Sequence, residues 1–343
     1  MVPLNWALTA PSPQDMRWLL VEDASAVAAC RNAALALADR LQFPAARVGQ
    51  LALAVTEAAS NLHKHARQGS LWLCVDRDAE TPGIVLVTID AGPGLPDVSA
   101  AIRDGHSTTS TLGIGLGAIQ RLADFCDLYS VPGHGTALAA RFRPERPSAA
   151  TSGWPARWAG LVRPITGEAE CGDVYGAIRA DETVTAVLCD GLGHGPLAAA
   201  AATAGVTAVL DDPVSEPAAL LERAHRQMSH TRGGAIGVVQ VRGPVARFAG
   251  LGNIAASILS DGSRKSMLSV PGIAGHQART IRQFEYQVPP GAAVVLHSDG
   301  ITSRWEAAAL PGVADKDPLL IAAVLLAEAG IHRDDAGVLV LKP

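Results

Sequence analysis

The sequence predicts two mixed α/β domains joined by a short linker. Three observations carry this: a length beyond one ordinary domain, one proline-rich break near the middle, and short strands mixed with a few helices on either side of it. The chain has 343 residues. A domain usually holds roughly 100–150. The stretch 145–158, ERPSAATSGWPARW, combines prolines, small residues and charge, which is linker chemistry. It separates residues 1–144 from residues 159–343, and the two halves show no internal repeat. At 48% hydrophobic and 18% charged the chain lies well inside the globular class. Aromatic residues make up only 4%, so the cores must be built from Val, Leu, Ile and Ala.

In the first half, Ala24 to Leu41 is a long Ala/Leu helix. A second helix runs from about Ala45 to Ala66, set off by Pro44. Strands follow at Leu71–Val75 and Ile84–Ile89, bounded by turn residues. A glycine-rich stretch leads into a helix from about Leu116 to Phe125, and a last strand covers Ala137–Phe142. In the second half, strands read at Val184–Cys189, Ala235–Val241, Ala255–Leu259, Ala293–His297 and Val338–Leu341. Helices read at Leu197–Leu210, Pro217–Met228 and Pro318–Ala329. Such a mixture points to layered α/β domains with mostly antiparallel sheets.

Several function classes are disfavoured. The net charge is -5 and no Lys/Arg run is present, which argues against nucleic acid. Cys30, Cys74, Cys126, Cys171 and Cys189 are scattered without a CxxC pair, as expected of reduced thiols in the cytoplasm. The apolar stretch Leu4 to Ala10 has no basic residue before it and is soon broken by Pro11 and Pro13, unlike a signal peptide. Pro196 to Leu210 is mostly Ala and Thr and reads as a buried helix rather than a membrane span.

The first half carries four short motifs in series. In TEAASNLHKHA, Glu57, Asn61 and His65 recur at i, i+4 and i+8, on one helix face. A carboxylate and an amide oxygen so placed can position a water and hold Mg²⁺; a solvated polar stripe would read the same. DAGPGL follows a strand. There Asp90 can accept from an exocyclic amine such as adenine's, and Gly92 and Gly94 permit close backbone approach to a flat ring. TLGIGLGAIQRLAD places Gly113, Gly115 and Gly117 before a helix, where backbone N–H groups favour phosphate oxygens. No GxxxxGK[ST] occurs and no βαβ unit surrounds these glycines, so neither a Walker loop nor a dinucleotide fold is indicated. GHGT, with Thr136, precedes the last strand. Lys64 either neutralises phosphates or is an ordinary solvated lysine. His63 and His65, two apart on a helix, point away from each other and are not a zinc pair.

This ordered set resembles the GHKL ATPase family. Residues 20–143 are most similar to bacterial switch-protein kinases of the RsbW and RsbT type, and LGIGLGAIQRLAD and VPGHGT to the RsbT subgroup. The resemblance implies a GHKL (Bergerat-type) α/β sandwich that binds ATP with Mg²⁺ and phosphorylates STAS-domain proteins, the antagonists of anti-sigma factors. It implies that Glu57 is the general base, that Asn61 ligates Mg²⁺ and that Asp90 reads adenine. Gly92 and Gly94 would shape that pocket, with Thr136 near its base. Gly113, Gly115 and Gly117 would cradle phosphates under a short lid, Arg103 to Thr111.

The second half places aspartates beside glycines at strand ends: CGDVYG (Asp173), LCDGLGHG (Asp190), HSDGI (Asp299) and HRDDAGVLVL (Asp334, Asp335). Acidic residues converging from separate strand ends can hold two hard cations and activate a water against a phosphoester, although Asp-Gly also marks ordinary turns. The ordered set resembles the PPM metal-dependent Ser/Thr phosphatases of the SpoIIE group over residues 160–343. TRGGAIGVVQV, GLGNIAA and PGIAGH look most like RsbX. The resemblance implies an α-β-β-α sandwich with two Mn²⁺ or Mg²⁺ ions. Asp190 would bridge them, the Gly191 carbonyl would complete one sphere, and Asp173, Asp299 and Asp334 would be the other ligands, with Asp335 in reserve. His194 is a candidate for assisting the leaving group. The sequence departs from the family in Cys171 of the first box and in Gly337, where threonine is common.

Together the halves imply a cytoplasmic, bifunctional partner-switching enzyme: an ATP-dependent Ser/Thr kinase and a metal-dependent Ser/Thr phosphatase acting on one STAS protein or two related ones. The fusion is compatible with a homodimer. The alternative is a first half that senses nucleotide and sequesters a partner or gates the phosphatase without phosphotransfer.

Overall fold

The computed structural model describes residues 7–77, 81–98, 101, 115–146 and 157–343. The chain forms two compact units. One holds Pro11–Pro155; the other joins Met1–Ala10 to Ala156–Pro343.

The Pro11–Pro155 unit contains strand β2 (Met16–Leu20), helices α1 (Ala24–Arg40) and α2 (Ala45–His65), strands β3 (Ser70–Asp76) and β4 (Gly83–Asp90), helix α3 (Gly115–Leu122), and strands β5 (Phe125–Val131) and β6 (Gly135–Phe142). The strands form one antiparallel sheet, order β2-β3-β4-β6-β5. α1 starts where the Asp23 side chain accepts from the N–H groups of Ser25 (2.7 Å) and Ala26 (3.1 Å), an N-cap that satisfies otherwise orphaned donors. α2 buries Leu51, Ala54, Val55, Ala58, Ala59 and Leu62, a stripe at three- and four-residue spacing. These residues share one core with Leu71, Leu73, Ile84, Leu86, Ile119 and Leu138. The alanines let the helix lie close to the sheet, which suits a chain poor in aromatics. The expected helix to Phe125 stops at Leu122 instead. Phe125 opens β5, whose FCDLYSV run is rich in the aromatic and β-branched residues that favour strands.

The other unit is a four-layer sandwich. One sheet has the order β1-β8-β9-β10-β11-β14, with β1 (Ala7–Thr9), β8 (Asp173–Ala180), β9 (Thr183–Gly191), β10 (Gly234–Arg242), β11 (Val245–Leu251) and β14 (Gln283–Gln287). The other has the order β13-β12-β15-β16-β7, with β7 (Trp158–Arg163), β12 (Ala255–Ser260), β13 (Ser263–Met267), β15 (Ala293–His297) and β16 (Ala336–Leu341). Helices α4 (Pro196–Leu210) and α5 (Pro217–Gln227) cover the first sheet, and α6 (Pro318–Ala329) covers the second. β16 is apolar and buried along its whole length because it is sandwiched between α6 and the other sheet. α6 is apolar all round for a related reason and is capped by Asp317, which accepts from the Leu319 N–H at 2.9 Å.

The leader departs from the expected division at residue 144. Ala7–Thr9 pairs antiparallel with Gly176–Ile178 of β8, and the Ala10 N–H donates to the Tyr175 carbonyl at 2.9 Å. The leader therefore completes an edge of the second unit, and the first unit is an insertion between two pieces of it. Among the described residues no helix is long and apolar enough to cross a membrane.

Candidate functional site

In the Pro11–Pro155 unit, Glu57 and Asn61 lie half-buried on α2, between the buried Ala54–Val55 and Ala58–Ala59–Leu62 positions. Lys64 and His65 at the helix end are exposed. The end of β4 meets the end of α2: the Ala91 N–H donates to the Arg67 carbonyl at 2.9 Å, and a Cβ added to Gly92 would lie 3.2 Å from the His65 carbonyl oxygen. The sheet thus brings Asp90 to the helix end that carries Asn61.

Asp90 Oδ1 accepts the Gly92 N–H at 2.6 Å. Burial pushes the Asp90 carboxyl above the usual carboxylate range, and the N–H groups of Gly92 and Thr136 pull part of that back. Gly94 (φ +70°) and Gly135 (φ +84°) hold left-handed backbone; an added Cβ would collide with the Val131 carbonyl at the first and the Asp90 carbonyl at the second. Thr136 Oγ1 lies 3.0 Å from Ser130 Oγ. Ser130 Oγ donates to the Gly135 carbonyl and accepts the Leu95 N–H, both at 2.8 Å. With its own proton so engaged, Ser130 accepts from Thr136. The sequence reading missed Ser130, because its role depends on β5 lying beside β6. Gly115 and Gly117 stand in the first turn of α3, and a Cβ on Gly115 would meet nothing within 4 Å. Gly113 and the expected lid, Arg103 to Thr111, lie outside the described residues.

In the second unit, Asp173 opens β8 and Asp190 is the last residue but one of β9, and the two are direct antiparallel partners. A like-charged pair in register is unfavourable unless a proton or cation lies between. Asp173 is buried; its Oδ2 accepts the Ser298 hydroxyl at 2.5 Å, and its Oδ1 is a buried oxygen with no partner. Ser298 in turn accepts the Gly337 N–H at 2.9 Å. A Cβ on Gly337 would lie 3.1 Å from the Asp173 side chain, so glycine lets β16 pass close to it. Gly191 is pressed against the Ala198 backbone in the first turn of α4.

Asp299 stands exposed beyond β15 and accepts from Asn253 Nδ2 at 2.6 Å. The acidic pair divides its work. Asp335 is buried, and both its oxygens are engaged by backbone: Ile165 N–H at 2.7 Å and Gly172 N–H at 2.8 Å. Asp334 is half-buried and its Oδ1 accepts only the adjoining Asp335 N–H. His194 Nδ1 lies 2.9 Å from Glu168 Oε1. Asn253, Ser298 and Glu168 had no assigned role in the sequence, since each acts through a partner at least 26 residues away.

The electrostatics are those of a crowded anion cluster. Burial, then the charges of Asp299 and Asp334, push Asp190 up to about 7. Burial and the neighbouring Asp190 push Asp173 well above the carboxylate range. Asp334 is raised by burial and by Asp299, and Asp335 by burial. Among the described residues no three His, Cys, Asp or Glu side chains are already drawn together as a finished coordination shell. The donors nevertheless fit a hard divalent cation. They are oxygens, one is orphaned in the interior, and their mutual repulsion is what a cation relieves.

Comparison with known proteins separates the same two regions. Residues 20–142 match the histidine kinase-like ATPase domain family, and residues 180–342 match the stage II sporulation protein E (SpoIIE) family. The serine/threonine-protein kinase RsbT of Bacillus subtilis (strain 168) is 32% identical over 114 residues, which is 33% of this chain and 86% of that protein. Among solved structures, a chain from the bacterial stressosome, described as a modular system adapted to control secondary messenger signalling, aligns with TM-score 0.49 and 26% identity over 53% of this chain and 97% of its own. RsbX in complex with magnesium aligns with TM-score 0.48 and 18% identity, covering 53% of this chain and 92% of its own.

Proposed function

We propose, from the premise that this chain belongs to the RsbT serine/threonine-kinase family through its first half and to the SpoIIE phosphatase family through its second, that it is a bifunctional partner-switching enzyme. The first unit would phosphorylate a serine or threonine of a STAS-domain protein from ATP, and the second would hydrolyse the phosphoester on that protein or a related one. Its place would be the cytoplasm.

One observation carries the phosphatase half: the cross-strand pair Asp173–Asp190, with an orphaned buried oxygen, ringed by further carboxylates. Asp173, Asp190, the Gly191 carbonyl, Asp299 and Asp334 would hold two Mn²⁺ or Mg²⁺ ions. Bound there, the ions supply charge neutralisation and an ionised water at neutral pH. The chain's own part is to hold those oxygens in place. Ser298 fixes Asp173, Asn253 fixes Asp299, and Asp335 ties Ile165 and Gly172 together so that β8 starts beside the cluster. In this reading Asp335 would serve the structure and Asp334 the ions.

For the kinase half, Asp90 would accept from the adenine amine, with its carboxylate held by Gly92 and Thr136. Asn61, with Mg²⁺, and Lys64 would face the phosphates, together with the N-terminus of α3 and its glycines. Glu57 would take the proton from the attacking hydroxyl.

The test is direct. Purified protein carrying Asp190→Ala, which blocks the reverse step, is incubated with ATP, Mg²⁺ and a STAS-domain protein, and phosphosites are mapped by mass spectrometry. Phosphoserine or phosphothreonine is expected, and Glu57→Ala should lose it while still binding ATP. Absence of product refutes the kinase half. Regulation that survives Glu57→Ala identifies a nucleotide-sensing module instead.

A further inference from the structure

We propose that Arg232 contacts the phosphoryl group of the phosphatase substrate. This rests on the phosphatase reading above and goes beyond it by naming the residue that receives the anion.

Arg232 stands just before β10. In that strand Gly234 pairs with Gly191 and Ala235 with Asp190, so Arg232 lies two positions from the partner of Gly191. Its backbone is pinned on every side. The Leu192 N–H donates to the Gly233 carbonyl at 2.9 Å, and the Gly233 N–H donates to Thr231 Oγ1 at 3.0 Å. The Arg232 carbonyl is joined to His276 Nε2 at 3.0 Å. The side chain is exposed and lies along the loop that leaves Asp190. Its Nη1 is 2.9 Å from where a Cβ on Gly193 would sit, and Gly193 holds a left-handed φ of +92°. The guanidinium occupies the space that any other residue at 193 would fill.

Three other arginines in this unit are engaged. Arg163 is buried and donates to the Ile331 carbonyl, Arg223 pairs with Asp212, and Arg247 pairs with Glu216 and Glu285. Among the described residues the Arg232 guanidinium has no hydrogen-bond or ion-pair partner, and it lies against the loop that leaves Asp190. The other cationic feature nearby is already answered by an anion. The N-cap of α4, Gly195, has the Glu168 carboxylate 3.2 Å from its Cβ position, and that carboxylate also binds His194. Arg232 is an open donor placed against the loop that leaves Asp190.

A phosphomonoester is a dianion approaching carboxylates. It needs a fixed cationic contact besides the ions, and a guanidinium offers two parallel N–H groups that match two phosphate oxygens. Rigid backbone at residues 231–234 holds that fork beside the loop of Asp190.

The experiment compares Arg232→Ala and Arg232→Lys with the unaltered full chain, using Mn²⁺ and p-nitrophenyl phosphate. Inorganic phosphate serves as competitive inhibitor, and Mn²⁺ binding is followed by calorimetry. Arg232→Ala should raise KM and the phosphate inhibition constant together, by roughly 10- to 100-fold. Mn²⁺ affinity and melting temperature should stay near the unaltered values, and Arg232→Lys should recover part of the loss. Unchanged KM and phosphate inhibition in a folded Arg232→Ala protein overturn the proposal, as does a fall in kcat alone. Asp190→Ala separates this from the underlying reading: if it still hydrolyses the ester, the phosphatase assignment fails, whatever Arg232 does.

Discussion

Asp90 and Asp190 begin from the same local design. Each is a half-buried aspartate at the end of an antiparallel strand, followed by a glycine-rich turn. Their surroundings then diverge. Asp90 is met by backbone donors from Gly92 and Thr136, and no second acid opposes it in the sheet; its cross-strand partner is a threonine. Asp190 is opposed by Asp173, and burial, then the charges of Asp299 and Asp334, push it up to about 7. The first site is balanced and suits a neutral hydrogen-bond donor on a flat ring. The second is balanced only by added positive charge. A strand-end Asp-Gly therefore does not define a chemistry; the residue across the sheet does.

The comparison breaks most visibly at Asp190. Asp190→Asn should lower phosphoester hydrolysis by about 10³-fold or more. The same change should raise the melting temperature of the metal-free protein, because it removes a repelled buried charge. An Asn substitution that melts lower without metal would show that the cluster is not strained. Asn253→Ala is next: with Asp299 no longer held, Mn²⁺ affinity should fall by roughly 10- to 100-fold, read by calorimetry. Gly135→Ala probes the balanced site. It forces a Cβ into the Asp90 carbonyl at a left-handed position, and a loss of about 2 kcal/mol in the first unit is expected in urea melts.

The smallest effect is in pH. The folded-state value of Asp190, about 7, lies above its ordinary 3.8. The folded state therefore holds a proton that the unfolded state has lost. That contribution is full at the acid end and disappears as pH rises through about 7. Metal-free protein in chelator should accordingly melt lower at pH 8 than at pH 6. Saturating Mn²⁺ should flatten or reverse the slope, since a cation takes the proton's place.

Much of this was legible in order along the chain. The α2 stripe and the Glu57–Asn61 spacing obey helical periodicity, and the aspartates are marked by their glycines. Other features were not. The helix expected over Leu116 to Phe125 ends at Leu122. The β-favouring FCDLYSV run that follows takes over instead, held by β6. Nothing in HRDDAG distinguishes Asp334 from Asp335. The distinction comes from the N–H groups of Ile165 and Gly172, some 170 and 163 residues away. Arg232 carries no local signal in the sequence; its place is set by Gly193, 39 residues away.

Residue types and short-range spacing were enough to mark two α/β halves, a series of glycine-rich motifs in the first and a series of strand-end aspartates in the second. These signals act within a few residues, through turn chemistry and the helical or strand repeat. Which carboxylates oppose each other, which are tied to backbone, and to which sheet the leader Ala7–Thr9 belongs were decided by strand pairing across most of the chain. Pairing depends on the burial of whole faces and on register, and neither is written in any one segment.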